Sequence, residues 1–460
     1  MEPITDARIR DCFGDSGDFN RRVLHLGTDT LYIYAIDGLT SGGDISDFVV
    51  KPLMQDSGPG DMAARYERAL HRQVYSSVAV PCDTMEQALH LLLNGFCLVL
   101  FGERALAFET KTSEKRSPAP PSVENTVKGP KDAFTETNRS NTGLLRRHLR
   151  TEKLHFYETT VGNRCKTNVS VAYIEGITKP ELVERMKERL ASLQVDGLIT
   201  PSAVEELVTG SRFTAFPLIQ YTERTDRFAQ ALMEGRIGLI VDGLPLAYLL
   251  PVDLGMLMTS AEDKGKDFIS ASWTKILRYV ALLTGLFLPA LYVAMVAFHP
   301  AMLPTELLQS VIRAKQDVPF PTILEILGLL VAFELLQEAS ISLPQSIGQS
   351  LSIIGGLVVG TAAVQAKILS PVALIIVAVA GICGFAMPGR GFADALRLWR
   401  IVLAVLAALA GLYGMTMGAL CLLVHLARLE SFGEPYLAPF AKVSVKGVLQ
   451  HRLKNGRKRE

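Results

Sequence analysis

Residues 343–366, "LPQSIGQSLSIIGGLVVGTAAVQA", carry no charged side chain. The stretch is long enough to cross a bilayer, because a helix needs roughly 20 residues for ~30 Å of hydrocarbon. It is nevertheless polar, since glutamine, serine, glycine and threonine stand where a simple anchor would carry leucine and phenylalanine. The stretch therefore predicts a membrane helix that does more than anchor the protein.

Four charge-free runs in the second half of the chain reach the length of a membrane span: residues 279–298, 339–366, 368–389 and 401–427. They predict an all-α polytopic membrane domain over residues 269–427, followed by a basic C-terminal tail over residues 428–460. Four crossings place both chain ends on the same side. They also place Arg390, Arg397 and Arg400 on the outer side, against the positive-inside tendency.

The first half of the chain is mixed, charged sequence that contains two similar stretches. "LYIYAIDGLT" at 31–40 matches "VSVAYIEGIT" at 169–178, and "LNGFCLVLFGERALAF" at 93–108 aligns with "MEGRIGLIVDGLPLAY" at 233–248. The shared order predicts a duplicated unit. We therefore expect an α+β region of two similar α/β subdomains, at residues 1–115 and 136–268, joined by a proline-rich and charged linker at 116–135. The first 30 residues lack an apolar signal core, so we expect this region to be cytosolic.

The soluble half contains little catalytic chemistry. It has no phosphate-binding glycine loop, no His-Glu-x-x-His and no Cys-x-x-Cys, and "GDSG" at 14–17 predicts a capped loop and not a protease site. Six scattered cysteines show no metal spacing, and a net charge of +1 gives no nucleic-acid footprint. We predict that the chain is not an enzyme and has no catalytic residue, metal site, cofactor or nucleic-acid partner.

On a helical wheel the opening stretch gathers its small and polar residues on one face: Gln345, Gln349, Ser352, Gly356, Val359, Gly360 and Ala363. The small-xxx-small spacing within this set fits helix packing. The same face fits a water-lined pore, which a single chain could build only within a symmetric ring of subunits. The wheel alone leaves both interpretations open.

The preceding segment, residues 322–338, is apolar but carries acidic residues. Glu334 and Glu338 lie one helical turn apart and would share a face. They fit either a solvated helix edge or an acidic mouth of a cation pathway.

Collinear phrases along nearly the whole chain resemble the A subunit of the GerA family of spore germinant receptors. Those phrases are "FGDSGDF" at 13, "YAIDGL" at 34, "VKGPKDAFTETNRSNTGLLRRHLR" at 127, "QYTERTDRFAQALMEGRIGLIVDGLPLAYLLP" at 220 and "SFGEPYLAPF" at 431. The chain departs from the family pattern at Gln337, where the family usually has arginine in Arg-Glu-Ala.

The resemblance implies a receptor subunit in the spore inner membrane, with a cytosolic N-terminal region and contacts to membrane lipids. It implies a transporter-like B subunit that senses nutrients and a lipoprotein C subunit as partners. It also implies a homo-oligomer, a pentamer, that forms a nutrient-gated ion channel triggering germination, which favours the pore interpretation of the polar face. The alternative is a non-conducting membrane scaffold that docks other germination proteins.

Overall fold

The structure is a computed structural model that describes residues 4–27, 29–56, 58, 61–76, 78–112, 121, 124, 129–210, 214–342 and 360–438. The chain divides into two compact units. The α/β unit comprises Met1–Arg212 and Leu218–Pro251, and the helical unit comprises Phe213–Pro217 and Val252–Glu460. Each unit is described by itself below.

Where the structure describes it, the first half of the α/β unit contains five helices and five strands: α1 (Asp6–Phe13), β1 (Phe19–Leu26), β2 (Asp29–Ile36), α2 (Gly42–Asp44), α3 (Lys51–Met54), α4 (Met62–Arg68), β3 (Ala79–Cys82), α5 (Met85–Leu92), β4 (Phe96–Phe101) and β5 (Arg104–Glu109). π-helical turns at Ile45–Val50 and Ala69–Gln73 follow α2 and α4. The strands form an antiparallel sheet in the order β1-β2-β4-β5-β3.

The second half repeats this plan: α6 (Asn138–His148), β6 (Leu154–Val161), β7 (Thr167–Ile174), α7 (Pro180–Ala191), α8 (Pro201–Thr209), β8 (Gln220–Thr222), α9 (Thr225–Met233), β9 (Ile237–Val241) and β10 (Ala247–Leu250). Its antiparallel sheet has the order β6-β7-β9-β10-β8, which is the order of the first sheet with each strand replaced by its counterpart. A hairpin through residues 102–103 joins β4 to β5, and one through residues 242–243 joins β9 to β10. The equivalent topology supports the predicted duplication.

The first sheet has an apolar cluster on each face. Phe13 and Leu98 belong to one cluster, which α1 and α5 cover, and Leu53 and Val99 belong to the other. Every residue of β4 is buried, because its side chains alternate between two covered faces. This double coverage explains why β4 has a continuous apolar sequence and not an alternating one.

The helical unit contains α10 (Leu254–Leu257), α11 (Phe268–Ala297), α12 (Thr305–Lys315), α13 (Thr322–Ser342), α14 (Gly360–Gln365), α15 (Pro371–Phe385), α16 (Arg390–Arg428) and the short strands β11 (Glu430–Ser431) and β12 (Glu434–Pro435). By length and composition, two of the described helices, α11 and α16, could cross a membrane, and α15 is a shorter apolar helix. Most of the opening stretch lies outside the described residues.

Residues 252–267, which we assigned to the second α/β subdomain, belong to the helical unit. The backbone N–H of Val252 donates to Ser431 Oγ at 2.8 Å, and the N–H of Leu254 donates to the Tyr436 carbonyl at 2.8 Å. These bonds hold the segment before α11 beside the segment after α16, which the linear sequence does not indicate.

Helix α16 turns back on itself at Ala410 and Gly411, whose backbone angles are not helical. A Cβ on Gly418 would lie 2.7 Å from Leu403 Cδ2. These two residues would be about 22 Å apart in a straight helix, which rises 1.5 Å per residue. Therefore α16 is a helical hairpin with antiparallel halves, residues 390–409 and 412–428. The single helix predicted over residues 401–427 is wrong, because Gly411 ends its first half.

The hairpin brings both ends of α16 to one end of the helical unit. The ring of Phe216 lies 6.0 Å from that of Phe392 and 6.1 Å from that of His425. The turn at Gly411 lies at the C-terminal end of α11, where a Cβ would meet Phe298 Cβ at 2.9 Å. Arg390 and Arg428, where the predicted basic tail begins, therefore lie at the same end of the helical unit.

Candidate functional site

Five of the predicted pore-lining residues lie outside the described residues: Gln345, Gln349, Ser352, Gly356 and Val359. The other two, Gly360 and Ala363, lie on α14. Gly360 is buried, and a Cβ on it would lie 3.5 Å from the methyl carbons of Leu374 on α15. Because 3.5 Å is an ordinary van der Waals contact, α14 packs against α15 here, and the position does not require glycine.

The predicted acidic pair lies on α13, and Glu334 forms an ion pair. Arg397 Nη1 donates to Glu334 Oε2 at 3.0 Å, with side chains 20% and 30% exposed respectively. The same guanidinium contacts Gln337 and Asp394. Glu338 lies one turn further along α13 and is exposed. Glu334 is thus part of a contact between α13 and the first half of α16 and not a free carboxylate.

Arg400 lies three residues beyond Arg397 and is only 2% exposed. In the described part of the chain, its Nε and Nη1 atoms have no hydrogen-bond partner. Glycines of two neighbouring helices flank the guanidinium, since a Cβ on Gly384 or Gly285 would lie 3.5 or 3.7 Å from Nη2. A buried charge without a partner is costly in an apolar environment, so this arginine is unusual.

A second acid of α13, Glu325, lies near the start of the helix with its side chain fully buried. Ser370 Oγ donates to its Oε2 at 2.8 Å, and Lys315 Nζ lies 3.5 Å from its Oε1. Glu325 therefore lies against other residues of the helical unit.

The "GDSG" loop contacts a buried ion pair of the α/β unit through Ser16. Arg146 of α6 and Asp18 are both fully buried, with Nε to Oδ2 at 2.7 Å and Nη2 to Oδ1 at 3.0 Å. Ser16 Oγ donates to Asp18 Oδ1 at 2.7 Å and accepts the N–H of Phe156 at 3.1 Å. The sequence predicts only a capped loop here. It does not indicate the ion pair, because Asp18 and Arg146 are 128 residues apart in sequence.

Helix α6 also packs on the Asp-Gly turn that follows β2. Arg139 donates to both oxygens of Glu158 at 2.6 and 3.0 Å, and its Nε lies 3.2 Å from Asp37 Oδ2. A Cβ on Gly143 would lie 2.5 Å from the Gly38 carbonyl oxygen, so only glycine fits there. Burial raises the pKa of Glu158, and Arg139 partly offsets this effect. Three of the phrases quoted in the sequence analysis thus meet at α6.

A polar cleft of about 370 Å³ opens beside the N-terminus of α6. Its lining residues are Thr137, Asn138, Arg139, Glu158, Thr159, Thr160, Asn168, Val169 and Asp242. Asn138 donates its backbone N–H to Asp242 at 2.9 Å and its side-chain amide to Ser170 at 2.7 Å. In the described part of the chain its Oδ1 atom has no partner. Two carboxylates and a free amide oxygen could accept hydrogen bonds from a small polar molecule.

The predicted linker at 116–135 is packed where the structure describes its C-terminal end. The N–H of Phe134 donates to the Glu223 carbonyl at 2.8 Å, and Ala133 forms a β-bridge with Arg224. Arg224, which is 1% exposed, donates to the Pro130 carbonyl at 3.1 Å. The phrase beginning at residue 220 therefore holds this segment against β8, an interaction that proline content does not predict.

A charged hydrogen-bond cluster lies next to this segment. His148 Nε2 lies 2.6 Å from Asp132 Oδ2 and 3.0 Å from Thr225 Oγ1. Burial alone would raise the pKa of Asp132, but the hydrogen bonds from His148 and Thr225 lower that pKa to about 2. The hydrogen bond to Asp132 raises the pKa of His148, against the effect of burial. Among the residues that the structure describes, no group of three or more His, Cys, Asp or Glu could hold a metal ion.

These features define a chain that joins a duplicated α/β unit to a unit of long apolar helices. It belongs to the family described as Bacillus/Clostridium GerA spore germination protein, whose sequence model matches residues 7–458. The family membership inferred from the quoted phrases is thereby confirmed.

Several known proteins are similar to the chain over most of their length. Spore germination protein KA of Bacillus subtilis (strain 168) is 34% identical over 95% of this chain and 81% of the relative. Spore germination protein B1 of the same organism is 36% identical over 88% of this chain and 84% of the relative. The membrane protein YfkQ, also from Bacillus subtilis, is 35% identical over 91% and 82%.

One solved structure is similar to part of the chain. It is the N-terminal domain of the A subunit of the Bacillus megaterium spore germinant receptor GerK3. The similarity covers 53% of this chain and 92% of that chain, with a TM-score of 0.41 and 26% identity.

Proposed function

We propose that the chain is the A subunit of a spore germinant receptor that oligomerises in the spore inner membrane into a nutrient-gated ion channel, whose opening triggers germination. Family membership and relatives named as spore germination proteins support the process. The transporter-like B subunit and the lipoprotein C subunit are the partners in this proposal, and nutrient sensing belongs to the B subunit.

The membrane setting rests on one observation, the exposure of apolar side chains along α11 and α16. Only 33% of the most apolar window of each helix is buried, whereas a core helix of a soluble protein would be mostly buried. Leu283 is 55% exposed, Leu409 73% and Tyr413 69%. Hydrocarbon is the environment that favours such surfaces.

The hairpin in α16 supports a topology that removes the conflict with the positive-inside tendency. Because α16 turns back at Gly411, Arg390 and Arg428 lie at the same end of the helical unit. In our proposal this end is cytosolic, together with the α/β unit and the basic tail. Phe298 and the Gly411 turn then lie at the outer end.

The pore of the proposed channel is lined by the polar face of residues 345–363, contributed by each subunit of a pentamer. Its amides and hydroxyls replace part of the hydration shell of a passing cation, and Val359 narrows the passage. Ion pairs lie on both sides of the segment. Glu334 of α13, which precedes the segment, pairs with Arg397. Glu325 pairs with Lys315 and also accepts a hydrogen bond from Ser370, which follows the segment. Nutrient binding to the B subunit opens the pore only if it favours the open packing by differential contacts.

Ion flux from liposomes that hold the purified A, B and C complex tests this proposal. We expect potassium release on addition of a mixture of amino acids and sugars, and several-fold faster basal release from a Val359→Ala variant because its constriction is wider. Val358→Ala is the matched control, since Val358 lies on the apolar back of the predicted helix. Absence of nutrient-dependent release, together with equal basal release from both variants, would contradict the proposal.

The second candidate is a non-conducting scaffold that docks other germination proteins. The burial of Gly360 against Leu374 of the same chain favours it, because a pore-lining position would face water. Particle mass separates the two functions. A ring of about five subunits supports the channel, whereas a monomer or dimer without flux supports the scaffold.

A further inference from the structure

Charges are unevenly shared where α13 meets the first half of α16. Arg397 contacts two carboxylates, Glu334 and Asp394, as well as the amide of Gln337. Arg400, three residues further, is buried and has no carboxylate partner among the described residues, whereas the side chain of Arg397 is 20% exposed. Within the described part of the chain, the more buried of the two arginines is therefore the one without a paired carboxylate.

Few groups of this chain could neutralise Arg400. Residues 343–366 contain no acidic side chain, so they can offer only dipoles. The neighbouring positions on α11 and α15 are the glycines Gly285 and Gly384. Of the acidic residues that the structure describes, Glu334 is near enough to Arg400 for the two charges to interact. Two arginines and two carboxylates thus form one cluster. If Glu334 moved to Arg400, each arginine would be paired with one carboxylate.

We propose that Glu334 has two alternative partners, Arg397 in the described arrangement and Arg400 in a second one. Asp394 lies on the same helix as Arg397 at i, i+3 and can stay paired with it, so Glu334 is free to exchange. Arg397 and Arg400 are separated by about 4.5 Å along the helix axis, because each residue rises 1.5 Å. The exchange therefore displaces α13 along α16 by a few ångströms, comparable to the helix shifts of known switches.

The displacement has a direct consequence for the polar stretch. Residues 343–366 follow α13 directly in the sequence, so in the proposed function a displacement of α13 would act on the proposed pore segment. Only this consequence rests on the proposed function. The exchange of partners is a property of the helical unit and can be measured without ion flux.

Spin-label distances in the full-length protein test the exchange. Labels on Leu335→Cys and Leu398→Cys report on α13 and α16, and both positions are exposed, at 66% and 56%. The six native cysteines are replaced by alanine. We expect Arg397→Gln to shift the distance distribution by a few ångströms, because Glu334 then pairs with Arg400. Arg400→Gln should leave the distribution unchanged.

The control is the double variant Glu334→Gln, Arg397→Gln, which lacks the carboxylate that moves. It should show no shift. A distribution for Arg397→Gln that matches the unsubstituted protein, or an equal shift in the control, would overturn the proposal. Either result leaves the channel hypothesis intact, because flux is measured separately.

Thermal unfolding of unlabelled variants provides a second readout that does not depend on labelling. Introduced alone, Arg400→Gln should raise the melting temperature above that of the unsubstituted protein, because it removes a buried charge without a partner. The same substitution should lower the melting temperature in the Arg397→Gln background, because there it removes the partner of Glu334. An effect of the same sign in both backgrounds would contradict the exchange.

Discussion

Arg146 and Arg400 are both buried arginines, and their surroundings differ. Arg146 donates to both oxygens of Asp18 and to the Thr151 carbonyl, so its charge and its hydrogen bonds are matched. Arg400 has a glycine-lined environment and no such match in the described part of the chain. Breaking the Arg146 pair would leave a buried charge without a partner, and Arg400 already carries that cost, which a move of a carboxylate towards it would reduce.

We expect Arg146→Met to lower the stability of the α/β unit by about 3–5 kcal/mol, because Asp18 would remain buried without a counter-charge. Chemical denaturation, with tryptic cleavage within the α/β unit as the readout of unfolding, measures this effect. Arg147→Met is the matched control, since Arg147 is the adjacent, exposed residue of the same helix. A double variant with Asp18→Leu should recover part of the loss. Equal effects of Arg146→Met and Arg147→Met would show that the ion pair contributes nothing.

The Asp132–His148 pair should make stability depend on pH in a defined direction. The raised pKa of His148 means that its contribution is fully present below the unfolded value of 6.5 and is lost as pH rises through the folded pKa. The contribution of Asp132 is present above its unfolded value of 3.8 and is lost as pH falls towards about 2. The stabilising window therefore runs from about pH 4 to the raised pKa of His148.

The corresponding variant is His148→Gln, which keeps a polar side chain but cannot carry a charge. We expect the unsubstituted protein to exceed the variant in melting temperature by more at pH 5.5 than at pH 8.5. His71→Gln is the control, because His71 is an exposed residue whose side chain is 66% accessible. A difference between protein and variant that does not change over this range would contradict the assignment.

At the scale of the element, the hairpin in α16 depends on one glycine. Gly411 has φ of 60° and ψ of −140°, a region that side chains other than glycine rarely adopt. A Cβ there would also approach Phe298 Cβ at 2.9 Å. Both constraints act at the point where the two halves separate, so the turn requires glycine at this position.

Gly411→Ala should therefore destabilise the helical unit by about 1–3 kcal/mol, the usual cost of such a backbone conformation. The measurement is thermal unfolding of the full-length protein in detergent, monitored through the loss of its helical signal. Gly389→Ala is the matched control, because Gly389 has φ of −106° and a Cβ there would meet no atom within 4 Å. If the two alanine variants melted together, the turn at Gly411 would not be essential.

At the scale of the whole molecule, the helical hairpin changes the expected membrane topology. The four-span prediction puts Met302 and Arg390 on the same outer side. The topology proposed from the structure puts them on opposite sides, because Met302 follows α11 at its Phe298 end and Arg390 begins α16 at the other end.

Labelling of single cysteines by a membrane-impermeant reagent distinguishes these topologies. We expect Met302→Cys, at a position that is 63% exposed, to react from the outside of intact cells. Arg390→Cys should react only after the membrane is opened. A cysteine added after Glu460 serves as the internal marker and should behave as Arg390→Cys does. Reaction of Arg390→Cys from outside would restore the four-span topology.

The sequence by itself determined the family, the presence of two similar α/β subdomains and the apolar character of the second half. These features are local, because strand and turn patterns, collinear phrases and charge-free runs each occupy one continuous stretch. Pairing across the chain was decided only by the tertiary structure. Asp18 meets Arg146 across 128 residues, and Glu334 meets Arg397 across 63, and neither distance can be read from a periodicity.

The charge-free run at 401–427 also shows that sequence alone does not decide which segments pair. Its composition fits one long helix and two short antiparallel helices equally well, because both satisfy the backbone in an apolar environment. The choice depends on whether Gly414 and Gly418 have a surface to pack on, and the first half of α16 supplies it through Leu403 and Leu406. Hydrophobic pattern is a property of the chain, whereas the partner of each residue is a property of the fold.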